Sequence, residues 1–263
     1  GETVSSPYPS YILYETLAEL QAGSFARIQL NADWSFNTAS RTAAIDKARL
    51  VLVPNPNSPS GNLWAREELL QLVPKRGVLV LDEAYGDFAD TPHKGEFLRE
   101  APAGRVIITR SFSKSYSLAG VRLGFGVAHP DLIAGLRKVK DSYNCDSLSL
   151  AAGIAALEDQ RWMLDNAARV RSTRTRMTSS LRELGFDVIP SQANFVWATH
   201  PLLPAQVIYE RLKARKILVR YMVYRDVPYA TDGILKGLRI SVGTDTETDG
   251  LLAALPHVLA ETT

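Results

Sequence analysis

Predominantly apolar runs alternate with amphipathic stretches through the first half of the chain. The runs are ARLVLV, GVLVLDEAY, RVIITR and VRLGFGVA, and the amphipathic stretch LWAREELLQLV separates the first two. Because the apolar positions are continuous and do not alternate with polar ones, the runs indicate strands that are buried on both faces. Upstream, YILYETLAEL has helical spacing and FARIQL has the character of another strand. The pattern predicts an α/β fold, with a mostly parallel central sheet covered by helices on both sides.

The second half of the chain has a different pattern. Helices are predicted over 129–141 and 161–184, with the loop YNCDSLS between them. Short strands are then predicted in FDVIP, NFVWAT, ILVRYM and LRISV, with the helix AQVIYERLKARK among them and a closing helix over 247–261. We therefore expect a large domain over 1–148 and a smaller α+β C-terminal domain over 149–263.

Composition and charge exclude several classes of protein. Hydrophobic residues make up 46% of the chain and charged residues 22%, which is typical of a folded globular protein. The 30 Lys and Arg residues nearly balance the 28 Asp and Glu residues, so no charge excess favours binding to nucleic acid or to an anionic membrane. The sequence also has no apolar run of about 18 residues or more, so we expect no membrane-spanning helix.

Cysteine and histidine usage predicts a cytoplasmic protein without a metal site. The single cysteine, Cys145, has no partner for an internal disulfide bond, which favours a reducing environment. The histidines lack the spacing of metal ligands; they are His93, His129, His200 and His257. The chain also starts at Gly1, without an initiating Met, directly before an apolar segment. We therefore expect the N-terminal part of the fold to be missing.

Polar residues directly follow three of the predicted strands. In an open parallel sheet, ligands bind at the carboxyl ends of the strands. The loop NPNSPSG follows the first run and the string DEAY follows the second. The third run is followed by SFSKSYSLAGVR, which contains Lys114. If the strands are neighbours, these groups converge on one crevice.

These groups suit one kind of ligand. Asp82 at a buried strand end needs a cation or a strong donor opposite it. Lys114, between small hydroxyl residues, has the setting of an amine that reacts with an aldehyde. Ser111, Ser113 and Arg122 offer hydroxyl groups and a planar cation for a phosphate. An aldehyde with a phosphate and a basic ring nitrogen matches all three: pyridoxal 5′-phosphate. Each motif alone has an ordinary structural explanation, and their order along the chain favours the shared site.

The strings NPNSPSG, LDEAYGDF, SFSKSYSLAGVRLGFGVA and LRISVGT resemble the fold-type I, class I and II aminotransferases, and most closely the histidinol-phosphate aminotransferase group. The resemblance covers essentially the whole chain. It implies that Lys114 binds the cofactor aldehyde covalently, that Asp82 faces the ring nitrogen and that Tyr85 donates to the ring hydroxyl. It also implies a phosphate site and a stacking aromatic ring: the residues are Ser111, Ser113 and Arg122, and Tyr11.

On the substrate side, the resemblance implies that Arg239 binds the α-carboxylate and that Asn194 and Arg220 line the pocket. Arg220 matches the position that holds the phosphate of a phosphorylated substrate, although its distance along the chain from Arg239 is longer than the family pattern predicts. Ser58 stands where the family has an asparagine that reaches the ring hydroxyl. A serine is shorter, so we expect either a weaker contact or a contact from Asn57.

The activity implied by the resemblance is transfer of an amino group between an amino donor, by analogy L-histidinol phosphate, and a 2-oxo acid acceptor such as 2-oxoglutarate. The family also implies a homodimer. Three alternatives remain open at this point: a broad-range or aromatic aminotransferase, a decarboxylating relative that acts on a phosphorylated amino acid, and a truncated, non-catalytic fragment.

Overall fold

The computed structural model describes residues 1–92, 95–102 and 104–261, so His93 lies outside the described residues. The strands are β1 (Thr3–Tyr8), β2 (Ser24–Gln29), β3 (Ala48–Pro54), β4 (Val78–Asp82), β5 (Val106–Ser111), β6 (Gly124–Ala128), β7 (Asp187–Val188), β8 (Phe195–Thr199), β9 (Arg220–Tyr224) and β10 (Leu235–Ser241). The helices are α1 (Leu13–Leu20), α2 (Thr38–Lys47), α3 (Arg66–Leu70), α4 (Glu96–Glu100), α5 (Pro130–Val139), α6 (Ser147–Glu158), α7 (Gln160–Glu183), α8 (Ala205–Ala214) and α9 (Asp245–Ala260).

The first sheet has the strand order β2-β1-β3-β4-β5-β6. Its neighbouring strands are parallel except for β6, which runs antiparallel to β5. The mostly parallel sheet predicted from the apolar runs is therefore confirmed. Because β1, β3, β4 and β5 are parallel, their carboxyl ends lie at the same edge of the sheet.

Burial across this sheet is less symmetric than the sequence predicts. Val51 and Val53 of β3 and Leu79 and Leu81 of β4 are fully buried, whereas the residues between them are only half-buried. The prediction that β6 is buried on both faces is wrong: its residues are exposed or half-buried. Within the described residues β6 lies at one end of the sheet, so one of its edges has no neighbouring strand.

The second sheet is antiparallel, with the strand order β7-β8-β10-β9. One face packs on α7, α8 and α9 through a core that includes Val196, Ala198, Leu238 and Ile240. The other face packs against the first sheet, because Trp197 belongs to the same apolar core as the β3 and β4 side chains. Gly237 permits this packing, since a Cβ atom there would lie 2.2 Å from Trp197 Cζ2.

Four of the elements in the described residues were not predicted from the sequence: β1, α2, α4 and α6. Helix α6 begins inside the predicted loop YNCDSLS. Its sequence SLSLAAGIAALE has apolar residues on every side, so it lacks the amphipathic spacing on which helix prediction depends. The strand predicted in ILVRYM also begins later than expected, at Arg220. Within the described residues, no helix is long and apolar enough to cross a membrane.

Candidate active site

Four segments with polar side chains lie at the carboxyl edge of the first sheet. They are residues 9–14 after β1, 55–61 after β3, 82–85 at the end of β4, and 111–114 at the end of β5. The register places Pro54 of β3 beside Asp82 of β4, so the second and third segments start side by side. The backbone segments that carry the predicted site residues therefore lie together at one edge of the sheet, as expected from the sequence.

Asp82 is largely buried and accepts two hydrogen bonds from neutral donors. Tyr14 Oη lies 2.8 Å from Asp82 Oδ2, and the backbone N–H of Ala84 lies 3.0 Å from Oδ1. Burial raises the pKa of the Asp82 carboxyl, while the hydrogen bonds from Tyr14 and Ala84 act in the opposite direction. The site thus contains a desolvated carboxylate that a cationic group would stabilise.

The Lys114 amine lies close to the ring of Tyr85. Lys114 Nζ is 5.5 Å from the centroid of that ring, and no hydrogen bond or ion pair holds the amine within the described part of the chain. The ring of Tyr85 also meets that of Phe195 of β8 edge-on, with ring centroids 5.0 Å apart. Tyr85 therefore contacts both the lysine that follows β5 and the first residue of a strand in the second sheet.

The segment after β5 folds back on itself and closes the loop that carries Lys114. The Ser113 N–H donates to Ser111 Oγ over 3.0 Å, and Ser111 pairs with Gly124 at the start of β6. Arg122 lies two residues before Gly124. It is exposed, and its Nη1 donates to the Ala119 carbonyl over 2.9 Å. The two serines and Arg122 thus lie at the two ends of one closed loop.

A charged cluster braces the turns that follow β4 and β5. Arg110 binds Glu83 at 2.6 Å and Asp87 at 2.8 Å, and Ser115 donates to the second oxygen of Asp87. Because Arg110 and Ser115 flank the segment with Lys114, and Glu83 follows Asp82, the cluster fixes the two turns relative to each other.

Asn57 and Ser58 have different hydrogen-bond partners in this loop. Asn57 is fully buried; its amide donates to Ser60 Oγ at 2.7 Å and to the Pro9 carbonyl at 3.4 Å, and its carbonyl accepts from Ser10 at 2.8 Å. Both amide hydrogens of Asn57 are therefore directed to partners near the loop, and its contact with a cofactor stays a prediction. Ser58 instead accepts a hydrogen bond from Arg239 Nη1 over 3.1 Å.

Arg239 and Arg220 lie directly opposite each other on the neighbouring strands β10 and β9. Residues paired in this way project from the same face of a sheet. Positive charge from both arginines lowers the pKa of the Tyr85 phenol, against a larger increase from burial. Arg239 also lies over the ring of Phe195, 4.8 Å from its centroid, and its buried Nε has no hydrogen-bond partner among the described residues. Two like charges are therefore held side by side near Tyr85.

The remaining two predicted residues border the same region. Asn194 is half-buried directly before β8, and its backbone carbonyl accepts from the Val242 N–H over 2.8 Å. Tyr11 is 45% exposed, and its ring meets that of Tyr14 edge-on with centroids 5.4 Å apart. The ring of Tyr11 is therefore accessible for stacking.

Comparison with known proteins identifies the family. A family model described as aminotransferase class I and II matches residues 1–255. This chain is a member of that family. A curated relative from Rhodopirellula baltica, named histidinol-phosphate aminotransferase, is 44% identical over 260 residues, which are 98% of this chain and 69% of the relative. A relative of the same name from Syntrophotalea carbinolica is 41% identical and is covered to 71%.

Solved structures of aminotransferases share the fold. The histidinol-phosphate aminotransferase of Sinorhizobium meliloti, solved in complex with pyridoxal 5′-phosphate, superposes with a TM-score of 0.84 at 28% identity, over 98% of this chain and 71% of that one. The enzyme of the same name from Clostridium acetobutylicum gives a TM-score of 0.85 at 22% identity, over 98% and 78% of the two chains. The predicted fold type I architecture is thereby confirmed.

As a class I and II aminotransferase, the chain uses pyridoxal 5′-phosphate. Its residues fit this cofactor: Lys114 provides an amine that makes no hydrogen bond or ion pair to the described residues, Asp82 provides a carboxylate reached by neutral donors, and the closed loop of Ser111 provides hydroxyl groups. The described residues contain no cluster of His, Cys, Asp and Glu that could hold a metal ion.

Sequence reasoning missed two residues that shape this aminotransferase site. Tyr14 binds Asp82, although the helical spacing of α1 predicts only that Tyr14 faces the core. Arg174 of α7 is 5% exposed and donates to the carbonyls of Phe88, three residues after Tyr85, and of Ala193, directly before Asn194. A buried phenol requires a hydrogen-bond partner, so pairing it with the desolvated carboxylate would have found Tyr14.

Proposed function

We propose that this aminotransferase takes a phosphorylated amino donor of the L-histidinol phosphate type and passes the amino group to a 2-oxo acid such as 2-oxoglutarate. The observation that carries the proposal is the pair Arg220 and Arg239, opposite each other beside Tyr85. Like charges directly opposite each other destabilise a sheet, and an anion between them removes that cost. The curated relatives, which are named histidinol-phosphate aminotransferase, support the same donor.

The two arginines have separate tasks in this proposal. Arg239, whose guanidinium is fixed by Ser58 and Phe195, presents two parallel donors to a carboxylate or phosphate. Arg220 adds the second positive charge, which a phosphate dianion requires more than a carboxylate does. Asn194, before β8, borders the same pocket. Arg220 and Arg239 together can therefore hold the phosphate of the donor in one half-reaction, and Arg239 can hold the carboxylate of the 2-oxo acid in the other.

On the cofactor side, each residue holds one part of pyridoxal 5′-phosphate. Asp82 keeps the proton on the ring nitrogen, Tyr85 donates to the ring hydroxyl, and Tyr11 covers the ring. Its phosphate is held by Ser111, Ser113 and Arg122. When bound, pyridoxal 5′-phosphate supplies an aldehyde that accepts the amino group and a ring that stores an electron pair. The Ser58 hydroxyl accepts a hydrogen bond from Arg239, so Ser58 contributes by orienting the Arg239 guanidinium and makes no proposed contact with the cofactor.

Lys114 has two tasks in this proposal. Its amine would bind the cofactor aldehyde when no substrate is present. With substrate bound, the same amine would take the proton from the substrate α-carbon and would deliver it to the cofactor carbon that carries the amino nitrogen. The position of Lys114 Nζ, 5.5 Å from the Tyr85 ring centroid, supports this assignment because Tyr85 also borders the arginine pair.

A labelling experiment tests the cofactor site. Purified chain is mixed with pyridoxal 5′-phosphate, the absorbance spectrum is recorded, and the covalent adduct is reduced with borohydride and mapped by mass spectrometry. We expect a visible band and a label on Lys114, both absent in Lys114→Ala. A label scattered over surface lysines, or no band, would contradict the proposal and favour a non-catalytic fragment.

A second experiment tests the donor. We expect Arg220→Met to raise KM for histidinol phosphate about 10-fold or more, and to change KM for an unphosphorylated aromatic amino acid much less. Arg225→Met is the matched control, because Arg225 is an exposed arginine just after the same strand. Equal loss for both donors would indicate a broad-range aminotransferase, and loss in both variants would indicate a general charge effect.

The setting of the enzyme is also a proposal. We infer a cofactor-binding domain over 1–148, a small domain over 149–263, a homodimer and a cytoplasmic location. Large apolar side chains left exposed on α1 and α6 support the dimer, for example Leu20 at 73% and Leu148 at 82% exposure. Sedimentation of the purified chain should give twice the mass of one chain, and a monomer would contradict the dimer.

A further inference from the structure

Tyr14 connects the start of α1 to the end of β4. It is the second residue of α1, is 6% exposed, and donates its phenol hydrogen to Asp82 Oδ2 over 2.8 Å. The two residues are 68 positions apart in the chain. Helix α1 follows β1, which is separated from β4 by β3 in the sheet, so this hydrogen bond crosses the carboxyl edge over the loop of residues 55–61.

The contact with Tyr14 favours the ionised form of Asp82, because this hydrogen bond lowers the pKa of the carboxyl. Burial favours the neutral carboxylic acid, and the charge of the adjacent Glu83 acts in the same direction. Of the interactions that oppose burial, the hydrogen bond from Tyr14 is the largest, and the Ala84 N–H follows. Tyr14 itself stays protonated at any physiological pH, because burial and the charge of Asp82 raise the pKa of its phenol well above the usual range.

We propose that Tyr14 is a positioning residue of the cofactor site: its hydroxyl holds the Asp82 carboxylate ionised and in one orientation, so that Asp82 can keep the proton on the ring nitrogen of pyridoxal 5′-phosphate. This inference rests on the role proposed above for Asp82. Because Tyr14 occupies one lone pair of Oδ2 and Ala84 N–H one of Oδ1, each oxygen keeps a lone pair for the ring nitrogen.

The ring of Tyr14 adds a second positioning contact. It meets the ring of Tyr11 edge-on, with centroids 5.4 Å apart and an interplanar angle of 84°. Tyr11 is the aromatic residue proposed to cover the cofactor ring. Tyr14 therefore orients two residues of the cofactor site. Its hydroxyl orients Asp82, which faces the ring nitrogen, and its ring orients Tyr11, which covers the cofactor ring. Tyr14→Phe separates the two tasks, since it removes the hydroxyl and keeps the ring.

The first test measures Asp82 directly and needs no cofactor. NMR of isotope-labelled aspartate carboxyl groups is followed against pH, and the Asp82 signal is assigned by its absence in Asp82→Asn. In Tyr14→Phe we expect the Asp82 midpoint to move to higher pH. Tyr8→Phe is the matched control, because it removes a part-buried phenol hydrogen bond whose acceptor is the Arg225 carbonyl and not Asp82. An unchanged Asp82 midpoint in Tyr14→Phe would overturn the proposal.

The second test measures cofactor affinity. We expect the dissociation constant of pyridoxal 5′-phosphate to rise about 10-fold in Tyr14→Phe, the usual effect of losing one hydrogen bond to a charged group, and to stay unchanged in Tyr8→Phe. Equal weakening in the two variants would indicate a general structural effect and contradict the specific role. If Tyr14→Phe does not fold, a monofluorinated tyrosine at position 14 keeps the shape, strengthens the donor, and should move the Asp82 midpoint to lower pH.

The outcomes distinguish this proposal from the proposed function. If the unaltered chain binds no pyridoxal 5′-phosphate at Lys114, the proposed function fails, while the NMR titration still reports whether Tyr14 controls the ionisation of Asp82. If the cofactor binds normally and the midpoint of Asp82 is the same with and without the Tyr14 hydroxyl, the positioning role fails and the proposed function stands.

Discussion

Removal of the Arg174 guanidinium should destabilise the junction between the two sheets. Arg174 of α7 donates to the Phe88 carbonyl over 2.9 Å and to the Ala193 carbonyl over 3.0 Å, and it binds Asp90 at 2.7 Å. Phe88 belongs to the segment after β4, and Ala193 to the segment before β8. In Arg174→Met the apolar stem is largely kept, so the change tests the guanidinium itself.

The expected loss of stability follows from the two carbonyl groups that Arg174→Met leaves without a hydrogen bond. Phe88 and Ala193 are buried, so each carbonyl loses its partner without gaining water, at roughly 1.5 kcal/mol each. The side chain of Asp90 is 63% exposed, so loss of this ion pair adds little. We expect the free energy of unfolding to fall by about 3 kcal/mol, which corresponds to a decrease in Tm of about 6–12 °C for a chain of this size.

Urea denaturation followed by tryptophan fluorescence measures this change. Arg169→Met is the control, since Arg169 is exposed on the same helix and its replacement should change the free energy of unfolding by less than about 0.5 kcal/mol. If Arg174→Met is as stable as the control, the buried hydrogen bonds do not join the sheets in the way described.

Three further predictions concern packing, ionisation and substrate binding. Gly237→Ala should lower the free energy of unfolding by about 1–3 kcal/mol, since the new Cβ would overlap the rigid Trp197 ring, whereas Gly135→Ala, with no atom within 4 Å, should raise it by up to about 1 kcal/mol; urea denaturation compares the two. Burial raises the pKa of Asp82, so the cofactor-free chain should lose stability as pH rises from the ordinary carboxyl value of about 3.9 through the raised value in the fold. Asp82→Asn should gain stability relative to the parent across that interval, and a difference that is constant with pH would contradict the assignment. Arg239→Lys should raise KM for the 2-oxo acid about 10–100-fold with a smaller effect on kcat, because lysine cannot form the two parallel hydrogen bonds to its carboxylate; a fall in kcat alone would argue against carboxylate binding.

The large sheet was predictable because its local and long-range signals agree. Strands β3, β4 and β5 are apolar runs, and each is followed directly by residues with distinctive chemistry, such as Asp82 and Lys114. Once the strands are parallel, their carboxyl ends must share an edge. Strand β6 differs because apolar composition predicts a capacity for burial, whereas actual burial depends on what packs against the strand.

Side-chain partners across the site were not predictable from the same signals. The distance along the chain between Arg220 and Arg239 gave no sign that they are neighbours. The antiparallel register explains why they are neighbours despite this distance. Tyr224 pairs with Leu235, so residues 225–234 form the connection of the hairpin and the two arginines lie opposite each other. Likewise, sequence cannot tell that the Asn57 amide is used within its own loop while Ser58 accepts from Arg239.

The contacts between the two sheets matter for function because each sheet carries a different part of the proposed site. The groups proposed to bind the cofactor are on the first sheet, and the proposed substrate groups Asn194, Arg220 and Arg239 are on or next to the second. Neither sheet alone can place a substrate amine beside Lys114. That geometry depends on contacts that cross the junction, among them Arg239 on Ser58, the Gln192 N–H on the Gly61 carbonyl at 2.7 Å, and the ring of Tyr85 on Phe195. Substitutions at the junction should therefore change KM and cofactor affinity together, even where the altered residue touches neither ligand.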